Sequence, residues 1–375
     1  MRYSLKLLAA TVFLVSSPVE AVVTDNSSVT KSVVSQEVKI AQVEGKKQRR
    51  DEALRLNKLG MQQLNRGEYR EALNNFEQAL VIVREIGERK LEGGILNNIA
   101  GVYYSLAEYE QALSYFQQAL TIHKQVGDKA SQGNTLNNIG GIYDSLGEYP
   151  KALDYYQQAL AIQKQISDKA GEGTILSNIG SVYKDLGEYE QALSYFQQAL
   201  AINKQIGNKA SEGTTLNNIA AVYDRFGQYP KALDYYQQAL AIVKQIGNKA
   251  IEGTILNNIG FVYNNLAKYT KALDYYQQAL AIDKQVGNKA GEGNTLKNIG
   301  FVYKNLGEYK QALSYYQQAL AINKQVGDKA GEGKTLNSIG LLFKTQKQPK
   351  LAIVFYKQSV STYEQIRKQL KTLPK

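Results

Sequence analysis

The chain has 375 residues, 43% of them apolar and 10% aromatic with only 5 Pro, and this composition excludes disorder over most of its length. It has no Cys, which excludes disulfides, thiolate catalysis, iron–sulfur clusters and Cys-type zinc sites. The formal charge of +11 is uneven: residues 344–375 hold seven Lys and one Arg against Glu364, a pattern of either a solvated cap or a surface that attracts acidic partners or a membrane.

Residues 1–21 read as a secretory signal. Arg2 and Lys6 form the positive region, Leu7 to Ser17 the apolar run, and Val19 and Ala21 a small-x-small cleavage site after Pro18. The run is far shorter than the ~20 apolar residues of a spanning helix. The expectation is an exported chain, periplasmic or extracellular, with no integral membrane segment once the signal is removed. Residues 22–48 are rich in Val, Ser, Thr, Lys and Gln without a sustained period. They predict a flexible leader with one short helical stretch before Arg49.

From residue 53 the sequence repeats every 40 residues, with copies starting near 53, 93, 133, 173, 213, 253, 293 and 333. In the copy 133–172, Leu136, Ile139, Gly140 and Tyr143 fall on one helical face. Ala152, Leu153, Tyr156, Ala159 and Leu160 do the same in the second half, and Gly147 supplies the turn between them. Pro150 and Pro230 stand at the start of the second helix, where a missing N–H costs nothing. Asp168 and Asn208 follow Ser167 and Gly207, the pattern of a helix end and then an N-cap for the next helix. One such hairpin cannot bury its own stripe, whereas stacked hairpins share a continuous core.

A column of small residues sits inside the first helix of successive copies: Ala100, Gly140, Gly180, Ala220, Gly260, Gly300 and Gly340. Gly mid-helix costs about 0.5–1 kcal/mol against Ala, so its recurrence predicts close approach of the paired helix. Tyr156, Tyr236 and Tyr276 read as core, and the Gln157–Gln158 pair and its equivalents as solvent-facing.

The copies resemble the tetratricopeptide repeat (TPR) on Leu96, Ile99, Ala100, Tyr103, Ala107, Tyr109, Ala112, Phe116 and Ala119. The closing Pro of the 34-residue form is missing and Lys124 stands near its place, so the second helix is longer. This longer form is similar to the repeats of kinesin light chains and of bacterial scaffold proteins. The end copies depart from the pattern, with Gln63 for Tyr, and Lys347 and Pro349 for Gly and Tyr, as capping units require. The resemblance implies an all-α, right-handed solenoid of about eight helical hairpins, residues 49–375, that binds a protein or peptide in a concave groove lined by the first helices.

The groove stripe carries a ladder of Asn98, Asn138, Asn178, Asn218, Asn258 and Asn298. A second column holds Asn97, Asn137, Asn217, Asn257 and Asn337, with Ser177 and Lys297 as exceptions. Asn is a mediocre helix former, so a mid-helix column of it needs a reason. An amide donates and accepts at once, which suits the backbone of an extended peptide. It equally suits bonds between adjacent repeats. Three residues past the ladder the side chain changes from Gly101, Gly141, Ser181 and Ala221 to Phe261, Phe301 and Leu341. Lys297, Lys304, Lys334 and Lys344 gather at the same late end, and Asp144, Asp185 and Asp224 at the earlier one. The expected site is therefore an apolar, basic pocket for an acidic segment with an aromatic or aliphatic anchor, unless Phe261 and Phe301 are covered by the next helix.

No catalytic, metal or cofactor residue is expected. His123 stands alone, with Gln163, Asn203, Val243, Asp283 and Asn323 as equivalents, and a variable position on a second helix predicts surface. Nucleic acid is not an expected partner, because base-reading repeats need specifying side chains that vary between units, and these columns are nearly constant. Residues 350–371, KLAIVFYKQSVSTYEQIRKQLK, resemble the helix that joins TPR arrays to caspase-like CHAT peptidase domains. Those domains work with a Cys–His pair, and no Cys is present. That resemblance implies a stand-alone relative, a regulator or a truncated relative of such a peptidase system.

Overall fold

The computed structural model describes residues 27–371, which fold into sixteen α-helices and no strand. The signal expected over residues 1–21 lies outside the described residues. The first helix, α1, runs Ser27–Asn65 and takes in most of the segment read as a leader. Its Lys, Gln, Glu and Ala content favours helix, and it continues the first helix of the array without a Pro. Arg49 pairs with Glu85 at the end of α2, and Lys46 and Arg50 pair with Glu88, each at 3.8 Å.

Fifteen helices follow with the 40-residue period. The inner helices are α3 (Arg89–Ser105), α5 (Lys129–Ser145), α7 (Lys169–Asp185), α9 (Lys209–Arg225), α11 (Lys249–Asn265), α13 (Lys289–Asn305) and α15 (Lys329–Thr345). The outer ones are α2 (Tyr69–Glu85), α4 (Tyr109–Gln125), α6 (Tyr149–Gln165), α8 (Tyr189–Gln205), α10 (Tyr229–Gln245), α12 (Tyr269–Val286), α14 (Tyr309–Gln325) and α16 (Pro349–Lys371). Each helix packs on its hairpin partner and on the next helix in sequence. Beyond that, inner helices of adjacent repeats touch one another while, among the described residues, outer helices do not. Unequal spacing of the two layers curves the array, with the odd-numbered helices on the inside.

Capping follows the sequence. Asp128, Asp168, Asn208, Asn248, Asn288 and Asp328 each accept a hydrogen bond from the backbone N–H three residues on, at 2.8–3.2 Å. The hairpin turns use left-handed residues, Gly147 at φ +73° among them, and Ser167 takes the same conformation at φ +58° without being Gly.

The small-residue column is explained by an aromatic ring of the paired helix. A Cβ on Gly140 would lie 2.8 Å from the Tyr156 ring, on Gly180 2.9 Å from Phe196, and on Gly260 and Gly300 2.8 Å from Tyr276 and Tyr316. These rings are buried and, with Leu136, Ile139 and their equivalents, form the continuous core. A second set of rings stacks across each hairpin from α3–α4 onward, such as Tyr143 on Tyr155 at 5.4 Å and Phe343 on Phe355 at 5.4 Å. Gln157, Gln158 and their equivalents are exposed, as read from the sequence.

His123 corrects the expectation that its position is surface: the side chain is 2% exposed. It points across the junction under Gly93, and Gln163, Asn203, Val243, Asp283 and Asn323 are buried in the same place. Three of these side chains bond to a Thr twelve residues on. Asn203 and Asn323 donate to Thr215 and Thr335 at 3.3 and 3.1 Å, and Thr295 donates to Asp283 at 3.2 Å. Val243 has Ile255 at that offset, both in one apolar cluster.

Candidate peptide-binding groove

The inner helices place three side-chain columns on the concave wall, because residues one turn apart on a helix share a face and the repeat carries that face forward at a constant step. In the first two columns the asparagines are half-buried except the exposed Asn337, and several bond between repeats. Asn98 donates to Asn57 at 2.8 Å, and Asn178, Asn258 and Asn298 donate to Asn137, Asn217 and Asn257 at 2.9 Å each. Asn97 instead accepts from Thr135 at 3.1 Å, and Asn217 lies 3.5 Å from the oxygen of Asn218. Asn138 stands in the same ladder, next to Asn137. An amide has two N–H donors and two acceptor lone pairs, so each bonded Asn keeps donor and acceptor capacity toward the groove. The ladder is thus a strut between repeats with a free polar edge.

The third column changes along the wall. Phe261 is 41% exposed, Phe301 37% and Leu341 37%, so these side chains stand out from the wall in consecutive repeats. Lys304 holds its ammonium 4.3 Å from the centre of the Phe301 ring. Burial pulls the Lys304 ammonium below the usual lysine range. Lys297 is pulled down in the same direction, first by burial and then by Lys334. Two lysines with part of their hydration removed, beside exposed rings, favour an incoming anion over water. The structure brings Phe301, Lys304 and Lys297 together on α13, with Phe261 one repeat earlier on α11.

At the other end of the groove a cavity of about 300 Å³ opens where Gly94 replaces the Asn, Thr or Lys of later repeats; Leu54, Leu91, Asn97 and His123 are among its walls. Burial holds the His123 imidazole below its ordinary range, against the pull of Asp128, and Nδ1 is buried without a hydrogen-bond partner. His123 and its buried column were missed in the sequence. The signal at Asn203, Asp283 and Asn323 is the Thr twelve residues on, to which their side chains bond.

No group of three or more His, Cys, Asp or Glu placed to hold a metal occurs among the described residues. No helix among them is long and apolar enough to cross a membrane.

Repeated helical hairpins, each with an aromatic ring set against a Gly or Ala of its partner helix, define a helical-repeat solenoid. The tetratricopeptide-repeat profile matches residues 91–165, 171–245, 252–325 and 293–365, more than half of the chain. The chain belongs to the tetratricopeptide-repeat family. Among solved structures it is similar to the apo form of RapI, with 19% identity over 74% of this chain and 99% of that one and a TM-score of 0.60. It is also similar to the Rap conjugation gene regulator of plasmid pLS20 in complex with the Phr* peptide, at 16% identity, 80% and 78% coverage and a TM-score of 0.61. A tetratricopeptide repeat protein from Parabacteroides merdae matches at 16% identity, 81% and 99% coverage and 0.53. At these identities the likeness concerns the fold. No curated protein matches the sequence.

Proposed function

We propose that the chain is a non-catalytic scaffold that holds an extended, partly acidic peptide segment of another protein along its inner wall. The observation that carries this reading is the exposed row Phe261, Phe301 and Leu341 beside the partly desolvated Lys297 and Lys304. Large apolar anchors in a desolvated setting dominate binding energy, and the ammonium groups select an acidic neighbour. The free edges of Asn258 and Asn298 hold the main chain between anchors. A neighbour in fold, the pLS20 Rap regulator, is seen with a peptide, which supports the same use of the fold here.

Selection of a random linear peptide display library on the purified chain tests the reading. Enriched peptides carry Asp or Glu next to an aromatic or large aliphatic residue. The Phe261→Ala/Phe301→Ala variant binds the best of them at least about tenfold more weakly, the loss of at least 1.4 kcal/mol expected of an anchor pair. Full affinity in that variant, with an unchanged fold, removes the proposal.

Export is part of the proposed reading, on the pattern of residues 1–21. A mature N-terminus at Val22 in protein recovered outside the cytoplasm is the expected result, and retention of Met1 in the cytosol defeats it.

A second reading, a sensing partner of a CHAT-type peptidase chain, is favoured by α16. Ile353 and Val360, the equivalents of Leu153 and Leu160 that pack at the junction with α7, are 52% and 56% exposed. Slowed hydrogen exchange of α16 on adding such a chain is expected, and unchanged exchange counts against it.

A further inference from the structure

The earlier half of the groove differs from the late half by subtraction. Where Phe261 and Phe301 stand further on, α3 and α5 carry Gly101 and Gly141. The missing side chains leave a cavity of about 370 Å³, bounded among others by Tyr104, Asn137, Asn138, Asp144 and Tyr156. Its floor is Tyr156, which is 2% exposed and makes no hydrogen bond among the described residues. A Cβ on Gly141 would lie 3.7 Å from the Tyr156 hydroxyl, so the phenol sits directly under the glycine. One wall is the exposed ring of Tyr104, fixed by a hydrogen bond between its hydroxyl and Ser145 at 3.2 Å and by the Tyr109 ring at 5.9 Å.

The charge in the cavity is negative. Asp144 is half-buried, and its side chain makes no hydrogen bond or ion pair among the described residues. Burial, and then the neighbouring Asp185, push its carboxyl above the usual range, while Lys184 acts the other way. Lys184 is itself engaged, 3.5 Å from Asp185. A half-buried carboxylate without a partner, an aromatic face and a phenol oxygen at the cavity floor each suit the same kind of group.

We propose that this cavity is a subsite for one cationic group, a guanidinium or an ammonium. Asp144 supplies the charge, Tyr104 the ring face, and the oxygens of Asn138 and Tyr156 accept the remaining N–H groups. The group is carried by a peptide lying in the groove, in which case the subsite rests on the function proposed above, or by a small amine. With Lys297 and Lys304 at the far end, a bound peptide then has a fixed direction: its cation lies toward α5 and its anion toward α13.

Asp144→Asn is the informative variant, because Asn264 occupies the same position in α11 and the helix accepts it. The probes are N-acetyl-argininamide, its citrulline counterpart, and an acetylated five-residue peptide with one Arg among Ala. Binding is read by calorimetry, and the Asp144 carboxyl is titrated by carbon NMR with and without the probe. The arginine probes bind at least tenfold tighter than citrulline, Asp144→Asn removes the difference, and the Asp144 carboxyl titrates at lower pH when the probe is bound. A gain in affinity from the capped residue to the peptide assigns the subsite to a peptide, and equal affinity assigns it to a small amine. Equal binding of citrulline, an unaffected Asp144→Asn variant, or an Asp144 titration that the saturating probe leaves in place overturns the proposal. The outcome is separate from that of the Phe261→Ala/Phe301→Ala variant, which probes the other end of the groove.

Discussion

Replacing Gly180 by Leu measures the contact on which the repeat depends. A Cβ at Gly180 would stand 2.9 Å from both Cδ1 and Cε1 of Phe196, which is closer than carbon atoms pack, and the ring is fully buried with nowhere to turn. Ala at this place is tolerated, since Ala100 and Ala220 occupy it against Phe116 and Tyr236. The expected change for Gly180→Ala is therefore near zero, with a helix gain of about 0.5–1 kcal/mol offset by the shift of the ring. Leu adds three carbons to the same spot and is expected to destabilise by about 1–3 kcal/mol through overpacking. Removing the ring opens the space again: Phe196→Ala alone costs about 3–5 kcal/mol, and the double variant should cost at least 1 kcal/mol less than the two singles together. Guanidinium unfolding followed by helical circular dichroism reads all four proteins, compared at the midpoint because an array need not unfold in one step. Additive losses in the double variant, or an unchanged midpoint for Gly180→Leu, refute the contact.

Ser167 sits at φ +58° where the equivalent Gly127, Gly207 and Gly247 carry the same turn, so Ser167→Gly should stabilise by about 1 kcal/mol, read as a higher thermal midpoint. His123 gives a pH signature. Its folded-state pKa lies below its unfolded value, so the unfolded chain binds the extra proton: the full contribution to stability is present above about pH 6.5 and is lost as pH falls through that value toward the folded pKa. Asp128 and Lys90 face the imidazole with opposing effects, and Asp128 loses its own contribution only lower, below the usual aspartate range. His123→Gln copies Gln163 and should flatten the midpoint between pH 7 and 5, with a removed slope of at most about 1.4 kcal/mol per pH unit; an unchanged slope shows that another group titrates there.

Much of this fold was legible because the chain states it many times. Leu136, Ile139, Gly140 and Tyr143 recur with one period, and recurrence at helical spacing is what a stacked hairpin requires. The groove was legible only as columns. That Asn178 and Asn258 reach back to Asn137 and Asn217 depends on the inter-repeat step, which no single copy contains. His123, Asp283 and Val243 look like free surface variation when each is read alone, since polarity and size change from copy to copy. Their burial becomes readable only with Thr295 and Ile255 beside them, where chemistry on one helix answers chemistry on the next. The ion pairs of Lys46, Arg49 and Arg50 with Glu85 and Glu88 were not legible either, since the partners lie far along the chain.

Contact between neighbouring repeats along the inner layer, without its counterpart in the outer layer, also sets the mechanics of the molecule. Successive outer helices are joined only through the inner helix between them, so the outer rim has room to open or close as the pitch changes. A ligand laid across several inner helices ties successive turns together and stiffens them, and pulling on the two ends works against that grip.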